Sequence, residues 1–489
     1  MPRWRAQIFV TVGALPVRCL RLSMGLCGES MNAAIVEDRT RVLADWVAGL
    51  SVTDLTDVDR AQLDKLILDH LGVCYRGTFL PWGGALQRYA HPYAGTGSAV
   101  VFGSNLKVIP AVAALVNATC AHGLEHDDTH DEGMSHPGAI VIAVALAIAS
   151  EKGLSGREVH PAIVAGYEVM ARAGMACGPD IMHHGFHPTA LFGGFGAATT
   201  AAKLFKLTAQ SIVETWGLML SMAGGSMQFS QDPHGTVVKR LHGGYGAHNG
   251  TMAAQLAALG IAGPSQAFDG NYGLCNLFSG SPDPDRLTRT ADAPYEIHRI
   301  SFKPYPSCRL FHSTIDALRE VTDGFSAAND DIKKIVVGGP AVFETQHMMY
   351  RPASMMAAQY SLPFVLAAAL IAGPYSEQVF ADGNLGDTDV LAISDRVSAV
   401  VDDKLEKAFP AHFGSWVEVT FKGGETRQKE VMDSYGTPAN PMDTAALLKK
   451  FTGLVTGAKP DFPVAQVDAL VRGLSHDTDV SHLTGLFAA

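Results

Sequence analysis

The 489-residue sequence lacks the features that mark several large classes of protein. Charged residues make up only 17% of it, and acidic residues outnumber basic ones by 48 to 37, which gives a formal net charge of −11. A surface that neutralises phosphates needs an excess of Lys and Arg, so we expect no nucleic-acid partner. Hydrophobic residues make up 47%, which predicts a folded core and excludes disorder over most of the chain.

Paired cysteines and long hydrophobic runs are also missing. The seven cysteines are odd in number and include no C-x-x-C pair, which favours reduced thiols in the cytoplasm over a disulfide framework, a zinc ribbon or an iron–sulfur site. The longest apolar runs, at 137–150 and 362–373, are shorter than the roughly 20 residues that span a bilayer. The sequence therefore predicts a cytoplasmic protein without a membrane partner.

The first 30 residues differ in composition from the rest. Four arginines precede the first acidic residue, Glu29, and surround an apolar stretch over 8–17. A signal or transit peptide has such a composition, but a proline and an arginine interrupt this stretch and no small-residue cleavage site follows. We favour an over-long start, with Met31 opening the chain proper, and treat residues 1–30 as an atypical N-terminal extension.

Helical periodicity dominates residues 37–267, and several segments are apolar all round, which is typical of buried helices. The glycine-rich run at 191–198 follows no strand, so it indicates close helix packing and not a phosphate-binding loop. Strand patterns appear at 333–337, 416–421 and 426–431. The longer helices of the first block are predicted at about 108–128, 137–152, 157–175, 188–206, 208–223 and 240–261.

These patterns predict a mostly α protein. An all-helical main domain would consist of an N-terminal block (31–298) and C-terminal helices (442–489), with an inserted α+β lid domain at 299–441. Ligand sites often lie at domain boundaries, so we expect the site in the cleft between the two domains.

Histidines mark the candidate chemistry, since eleven of the 19 lie between residues 122 and 248. The densest patch is E-H-D-D-T-H-D-E at 125–132. If the preceding helix continued, His122, His126 and His130 would share one face, as metal ligands can. Two other interpretations are a polar helix end whose acids and imidazoles pair, and an acid–base site in which a carboxylate orients an imidazole. We favour the acid–base site.

Other segments supply groups that suit an anionic substrate. His187 opens a buried helix, where backbone N–H groups also favour an anion. The runs K-R-L-H-G-G at 239–244 and K-P-Y-P-S-C-R at 303–309 add cations. Together these groups indicate a small polycarboxylate as the substrate.

At these positions the sequence resembles the MmgE/PrpD family, which includes 2-methylcitrate dehydratase, cis-aconitate decarboxylase and iminodisuccinate epimerase. The resemblance covers about 36–486. It rests on E-x-D-D-T from Glu125, the His-Pro pairs at His136 and His187, K-x-x-H-x-G-x-x-A-x-x-G from Lys239, G-x-x-G-P from Gly260 and F-K-x-Y-P from Phe302. It implies a helical main domain with an α+β lid, a homodimer, and a site without cofactor or metal between the domains.

The resemblance implies Glu125, Thr129, His136, His187, Lys239 and Lys303 as active-site positions, with Asp127 and Asp128 inside the same motif. The two cationic runs add Arg240 and Arg309. The catalytic candidates are Glu125, Asp128, Thr129, His136, His187, Lys239 and Lys303. The substrate-binding candidates are Asp127, Arg240, His242, Tyr305 and Arg309.

One departure from the family pattern narrows the reaction. Methylcitrate dehydratases typically continue the first histidine motif as H-P-S-D-N, whereas here it runs H-P-G-A-I over 136–140. The missing polar side chains could have held a substrate hydroxyl or carboxylate. The motif is more similar to the decarboxylase and epimerase branches, and Glu125 in place of the usual Asp also occurs among decarboxylases.

We therefore expect a cofactor-independent lyase that acts on a small di- or tricarboxylic acid, of the cis-aconitate decarboxylase or 2-methylcitrate dehydratase type. In this hypothesis Lys239 and Lys303 stabilise negative charge next to a carboxylate. His187 transfers the proton, while His136 and Thr129 position carboxylates. The alternatives are an epimerase of an iminodisuccinate-type acid, a metal-dependent hydratase that uses His126 and His130, and a non-catalytic helical scaffold.

Overall fold

The helices that the periodicity predicts are present in a computed structural model, which describes residues 38–232, 236–325, 331–474 and 478–489. The extension predicted at 1–30 lies outside the described residues. The first block contains α1 (Arg39–Gly49), α2 (Asp57–Thr78), α3 (Pro81–Ala90), α4 (Pro110–Gly123), α5 (Pro137–Lys152), α6 (Gly156–Cys177), α7 (Asp180–His183), α8 (Pro188–Leu204), α9 (Ala209–Leu220), α10 (Val238–Ala258) and α11 (Leu274–Phe278).

The later part of the chain mixes helices with strands. It contains α12 (His312–Val321), α13 (Val342–Gln346), α14 (Met355–Gln359), α15 (Leu362–Ala372), α16 (Thr388–Ser394) and α17 (Asp403–Ala408), followed by α18 (Thr444–Ala458), α19 (Val464–Gly473) and α20 (Val480–Gly485). The strands of the described residues are β1 (Ala99–Val100), β2 (Lys107–Val108), β3 (Thr129–His130), β4 (Ile300–Ser301), β5 (Ile332–Gly339), β6 (Val397–Val401), β7 (Ser415–Phe421) and β8 (Thr426–Val431). The predicted mostly α class is confirmed.

Local sequence signals explain where the central helices begin and end. Helices α4, α5 and α8 each begin with a proline, whose fixed φ suits the first helical position and whose missing N–H has no partner there anyway. Helix α5 ends at Gly153, which adopts the left-handed conformation with φ 63°. The predicted and observed bounds of α5 therefore agree.

The helix predicted at 108–128 is too long at both ends. It starts only at Pro110, because the residue before a proline avoids the helical conformation and Ile109 is extended. It stops at Gly123, and Glu125 then adopts φ 59°. The acidic residues that follow therefore lie on a loop and not on a helix face.

Helices α8 and α10 approach each other closely at glycines. A Cβ on Gly250 would lie 2.5 Å from both the backbone N of Ala198 and the backbone O of Gly194. A Cβ on Gly246 would lie 3.0 Å from the backbone N of Gly194. The interpretation of the 191–198 run as helix packing is confirmed, and this packing holds α10 against the start of α8.

The later segment builds a four-stranded sheet in the order β6-β5-β7-β8. Strand β5 pairs parallel with β6 and antiparallel with β7, and β7 and β8 form an antiparallel hairpin. Helix α12 packs on β7 and β8. Residues 38–489 form one compact unit, so the division into a main domain and a lid stays a prediction.

Two contacts tie the later segments to the helical block. Strands β3 and β4 pair antiparallel, with Thr129 opposite Ser301. Helix α18 packs on α2, where Lys450 donates to Asp69 Oδ1 at 2.6 Å and to the backbone O of His126 at 2.8 Å. None of the described helices is long and apolar enough to cross a membrane.

Replacing Gly250 with alanine tests the close packing of α8 on α10. We expect Gly250→Ala to lower the free energy of unfolding by about 1–3 kcal/mol, because the new methyl group meets backbone atoms that cannot yield. Urea denaturation followed by circular dichroism measures the change. Gly453→Ala on exposed α18 is the control, since a Cβ there meets nothing within 4 Å and should be neutral or stabilising. Equal effects of the two substitutions would contradict the packing argument.

Candidate functional site

The site is built on the loop between α4 and α5, here called the acidic loop (124–136). The left-handed turn at Glu125 lets the loop fold back beneath the end of α4, and β3 then pins it to β4. His136 lies at the N-cap of α5, where its backbone N donates to Thr189 Oγ1 at 3.3 Å. The loop therefore holds its carboxylates and its imidazole in fixed positions.

Three other elements bring groups to this loop. His187 is the N-cap of α8, and Lys239 and His242 lie one turn apart at the start of α10. Lys303 follows β4 by two residues, so the β3–β4 pairing brings it to the acidic loop. The expectation that lysines from both segments meet the histidine motif agrees with this geometry.

An ion cluster lies at the centre of the site. Lys239 contacts Glu125 directly. Lys303 Nζ lies 3.5 Å from Glu125 Oε2 and 3.4 Å from Asp127 Oδ1. Both lysines have no exposed surface, and Tyr360 adds a hydrogen bond from its hydroxyl to Glu125 Oε2 at 3.2 Å. Every charge of the cluster thus has an opposite charge beside it.

The ion pairs outweigh the effect of burial on the carboxylates. Burial alone would raise the pKa of Glu125, but Lys239 and Lys303 lower it to about 2. Burial would likewise raise the pKa of Asp127, yet His136, Lys303 and His122 hold it well below its usual value. Burial lowers the pKa of Lys303 less than Asp127 and Glu125 raise it. Glu125, Asp127 and Lys303 are therefore charged at neutral pH.

Four imidazoles form a continuous row beside the ion cluster. The ring centroids of His122 and His136 are 5.1 Å apart, those of His122 and His187 are 5.8 Å apart, and those of His187 and His242 are 5.1 Å apart. The Nδ1 atoms of His187 and His242 are separated by 3.1 Å, so one of them carries the shared proton.

Hydrogen bonds set the tautomers of two of these rings. His122 Nδ1 donates to Asp127 Oδ2 at 2.8 Å, and His136 Nδ1 donates to the backbone O of Asp128 at 2.8 Å. The Nε2 atom of neutral His122 then carries a lone pair, and it is buried with no hydrogen-bond partner in the described part of the chain. Thr129 Oγ1, 3.4 Å from His136 Nδ1, adds to the orientation of that ring.

Burial keeps all four rings neutral at pH 7. It lowers the pKa of His136 to about 3 and the pKa of His242 to about 4. It also lowers the pKa of His122 and of His187, and nearby Lys239 lowers both further. The row can therefore accept protons when an anion enters.

Asp128 belongs to a separate hydrogen-bonded group. Tyr167 donates to its Oδ2 at 2.6 Å, and the backbone N of Gly138 donates to its Oδ1 at 2.8 Å. Burial raises the pKa of this carboxyl to about 7. A Cβ on Gly138 would lie 2.6 Å from both Asp128 Oδ2 and the Tyr167 hydroxyl, so this position has no room for a serine. Asp128 thus anchors the acidic loop to α5 and α6.

The structure engages three predicted substrate-binding residues with other partners. Arg240 stacks on Trp82, with its Cζ 3.7 Å from the ring centroid. Tyr305 donates to Asp316. Arg309 Nη2 lies 2.8 Å from Asp131 Oδ2, and Nη1 donates to Ser434 Oγ at 3.0 Å. Tyr305 and Arg309 hold the later segment together and to the acidic loop, and neither contacts the row of imidazoles.

The metal hypothesis for His126 and His130 is not supported. Helix α4 ends before them, His126 Nε2 bonds to the backbone O of Pro304 at 3.0 Å, and His130 Nε2 bonds to Glu296 at 2.9 Å. Within the described ranges, one trio of ligand atoms gathers within 4.8 Å and could hold a metal ion, namely His122, Asp127 and His136. The hydrogen bond of His122 to Asp127 already satisfies two of its members.

The sequence reasoning missed His122 and Tyr360 as members of the site. His122 stood only in the helical-face metal pattern, although its position three residues before Glu125 was a usable signal. Tyr360 lies far along the chain in a segment without a distinctive motif.

Two models of one protein family together match most of the chain. The model of the MmgE/PrpD N-terminal domain matches residues 41–287, and that of the MmgE/PrpD C-terminal domain matches residues 305–471. The chain belongs to the MmgE/PrpD family. The resemblance drawn from the sequence motifs is confirmed.

Curated relatives of this MmgE/PrpD protein span nearly its whole length. A cis-aconitate decarboxylase of Aspergillus terreus is 25% identical over 470 residues, which cover 91% of this chain and 95% of that protein. The human cis-aconitate decarboxylase is 27% identical over 460 residues, covering 91% and 94%. The mouse protein of the same name is 25% identical over 469 residues, covering 91% and 93%.

The neutral buried imidazoles predict that acid destabilises the fold. Unfolding frees each such ring to bind a proton, so stability is fully present above pH 6.5 and falls by about 1.4 kcal/mol per pH unit for each ring as the pH drops towards the folded pKa. Glu125 and Asp127 act in the same direction below about pH 4.5, and Asp128, whose pKa is raised, opposes it. The histidines with lowered pKa are His70, His122, His126, His136, His160, His187, His242, His312 and His347.

Urea melts at pH 7.5, 6 and 5 measure this dependence. His136→Gln should reduce the loss of stability between pH 6 and 5 by up to about 1.4 kcal/mol, because one titrating ring is removed. The control is His91→Gln at an exposed position, which should follow the wild type. A His136→Gln curve parallel to the wild type would contradict the assignment.

Proposed function

We propose that the protein is a cofactor-independent lyase that decarboxylates a small unsaturated tricarboxylic acid of the cis-aconitate kind. The carrying observation is the placement of two fully buried lysines, Lys239 and Lys303, beside a row of four imidazoles. The names of the full-length relatives support the same substrate class. The alternative is a dehydratase, the other type of lyase expected from the sequence.

The chemistry of such a substrate explains the need for fixed cations. When the C–C bond to the departing CO2 breaks, its electron pair forms a new double bond. The electrons of the old double bond move to the carbon beside another carboxylate, which takes up one proton. A trianion and a proton thus yield a dianion and CO2. Negative charge spreads onto the neighbouring carboxylate in the transition state, and cations in a water-poor site stabilise it strongly.

Lys239 and Lys303 carry out this stabilisation. Each lysine contacts Glu125, whose negative charge offsets part of their positive charge. A substrate carboxylate that replaces part of this contact gains two cations already desolvated and fixed. Because the lysines come from α10 and from the chain after β4, they can approach one substrate from two directions.

The proton comes from the row of imidazoles. When substrate binding raises the pKa of the rings, the His187–His242 pair takes up a proton, and protonated His187 transfers it to carbon and returns to the neutral form. His136 is held by the backbone O of Asp128 and by Thr129, and its Nε2 atom, once protonated, donates to a substrate carboxylate. His122 is oriented by Asp127 and lies between His136 and His187, so it connects these two rings.

The crowding at Gly138 favours decarboxylation over dehydration. A serine, as in the dehydratase motif, would collide with Asp128 and Tyr167. The chain therefore has no polar side chain at that position to hold a departing hydroxyl. The proposal includes three expectations from the sequence: a homodimer, a cytoplasmic location, and a helical domain with a lid. Light scattering of the purified protein tests whether it is a dimer.

A substrate panel tests the reaction. The protein is incubated separately with cis-aconitate, citrate, 2-methylcitrate and iminodisuccinate, while CO2, ultraviolet absorbance of unsaturated acids and optical rotation are followed. We expect CO2 release from cis-aconitate, unchanged after chelation. Unsaturated acid formed from 2-methylcitrate without CO2 would select the dehydratase instead. A change of optical rotation with iminodisuccinate alone would select the epimerase.

Substitution of single site residues tests the assigned roles. Lys303→Met should lower kcat by about 10²- to 10³-fold, because a fixed cation at the developing charge is lost. His187→Gln should lower kcat by about 10²- to 10⁴-fold, because the proton donor is lost. Lys449→Met and His91→Gln, at exposed positions, are the matched controls and should retain wild-type rates. A Lys303→Met enzyme with a raised KM and unchanged kcat would contradict the role in the transition state.

Binding of the polyanion should take up protons, since a polycarboxylate favours the protonated form of the imidazoles beside it. The imidazoles have lowered pKa values in the free protein, and an adjacent polycarboxylate raises them. Affinity for the unreactive analogue tricarballylate should therefore rise as the pH falls from 8 to 6. Calorimetry in two buffers of different ionisation enthalpy measures the protons taken up. An affinity independent of pH would contradict this coupling.

A further inference from the structure

None of the four imidazoles lines the cavity described next. It encloses about 800 Å³ between α3, the start of α10, α14 and the segment at 377–382. Its walls are mainly apolar and include Trp82, Leu86, Leu115, Met355 and Met356. This volume and this lining are those of a pocket for a small apolar ligand.

Arg240 is the unusual group in this wall. Only 3% of its surface is exposed, and its Nε and Nη2 atoms have no hydrogen-bond partner among the described residues. Stacking on Trp82 accounts for one face of the guanidinium but supplies no acceptor. A buried cation without an acceptor is costly, and burial lowers the pKa of Arg240 to about 10. An anion in the adjoining cavity would supply the missing acceptor.

The other charges of the cavity limit how much negative charge a ligand can carry. Arg76 is already paired with Glu377, and Asp382 accepts from the backbone N of Met355 at 2.7 Å. Arg240 is therefore the one lining cation without a paired carboxylate, and two carboxylates lie nearby. These charges favour a ligand with a single negative charge over a dianion or trianion. A carboxylate matches the parallel N–H groups of an arginine.

We propose that this cavity binds a monocarboxylate with an apolar body, of the size of a medium-chain fatty acid. Its carboxylate bonds to Arg240, and its chain lies against Trp82, Leu86 and Met355. This site is separate from the proposed catalytic one, so its test does not depend on the reaction.

Calorimetry and tryptophan fluorescence with decanoate test the site. We expect decanoate to bind and to change the emission of Trp82, which Trp82→Phe identifies as the reporter. Decanol has the same chain without the charge, and it should bind at least tenfold more weakly. Arg240→Met should lower decanoate affinity at least tenfold and leave decanol affinity unchanged, with circular dichroism confirming the fold.

A second pair of variants tests the cavity without altering the arginine. Ala85, an exposed lining residue on α3, becomes a bulky plug in Ala85→Trp and a near-neutral control in Ala85→Ser. The plug should abolish binding of both ligands, and the control should retain it. No decanoate binding at millimolar concentration, equal binding of decanol, or unchanged binding by Arg240→Met would overturn the proposal. Conversion of a dimer to a monomer by Ala85→Trp, without decanoate binding by the wild type, would instead identify the face as a subunit contact.

Discussion

The buried ion cluster of Glu125, Asp127, Lys239 and Lys303 is the constraint on which the rest of the structure depends. Four charges can remain out of water only if each has an opposite charge within a few ångströms. That requirement fixes α10, the acidic loop and the chain after β4 in one arrangement. The imidazoles then line up against a framework that has little freedom to move.

For the proposed function, the same cluster explains how an acidic protein takes an anionic substrate. A net charge of −11 describes the whole chain and does not determine the local charge of the buried ion cluster. Inside it, the lysines are neutralised by their own carboxylates, and the nearby rings are kept uncharged by burial. In the proposed reaction, the attraction for the anion develops as it exchanges contacts with the lysines and the rings take up protons.

Much of the fold could be predicted because its signals are local. Proline at the first position and glycine past the end fixed α5, and alternating residues located β7 and β8. Strand β6 was missed because it is five residues long and half exposed, so its pattern does not stand out. The overlong α4 shows that apolar periodicity does not register a backbone turn such as the one at Glu125.

The site was predictable in its motif residues and not in its side-chain partners. Lys303 meets Glu125 because residues far apart in sequence pair across β3 and β4, whereas His187 and Lys239 reach the site on α8 and α10. Other predicted site residues bond elsewhere, because buried polar groups need partners. Arg309 donates to Asp131, and Tyr305 donates to Asp316. These pairings depend on tertiary distances, which the order of residues along the chain does not reveal.

The contact of Lys450 with the backbone O of His126 has a consequence for how the protein is made. The loop that carries the acids emerges early from the ribosome, but the lysine that braces it is synthesised more than 300 residues later. During translation the loop therefore lacks this contact until α18 has been released. Maturation of the cleft is thus tied to completion of the polypeptide, and a truncated product would carry all the motifs without the finished architecture.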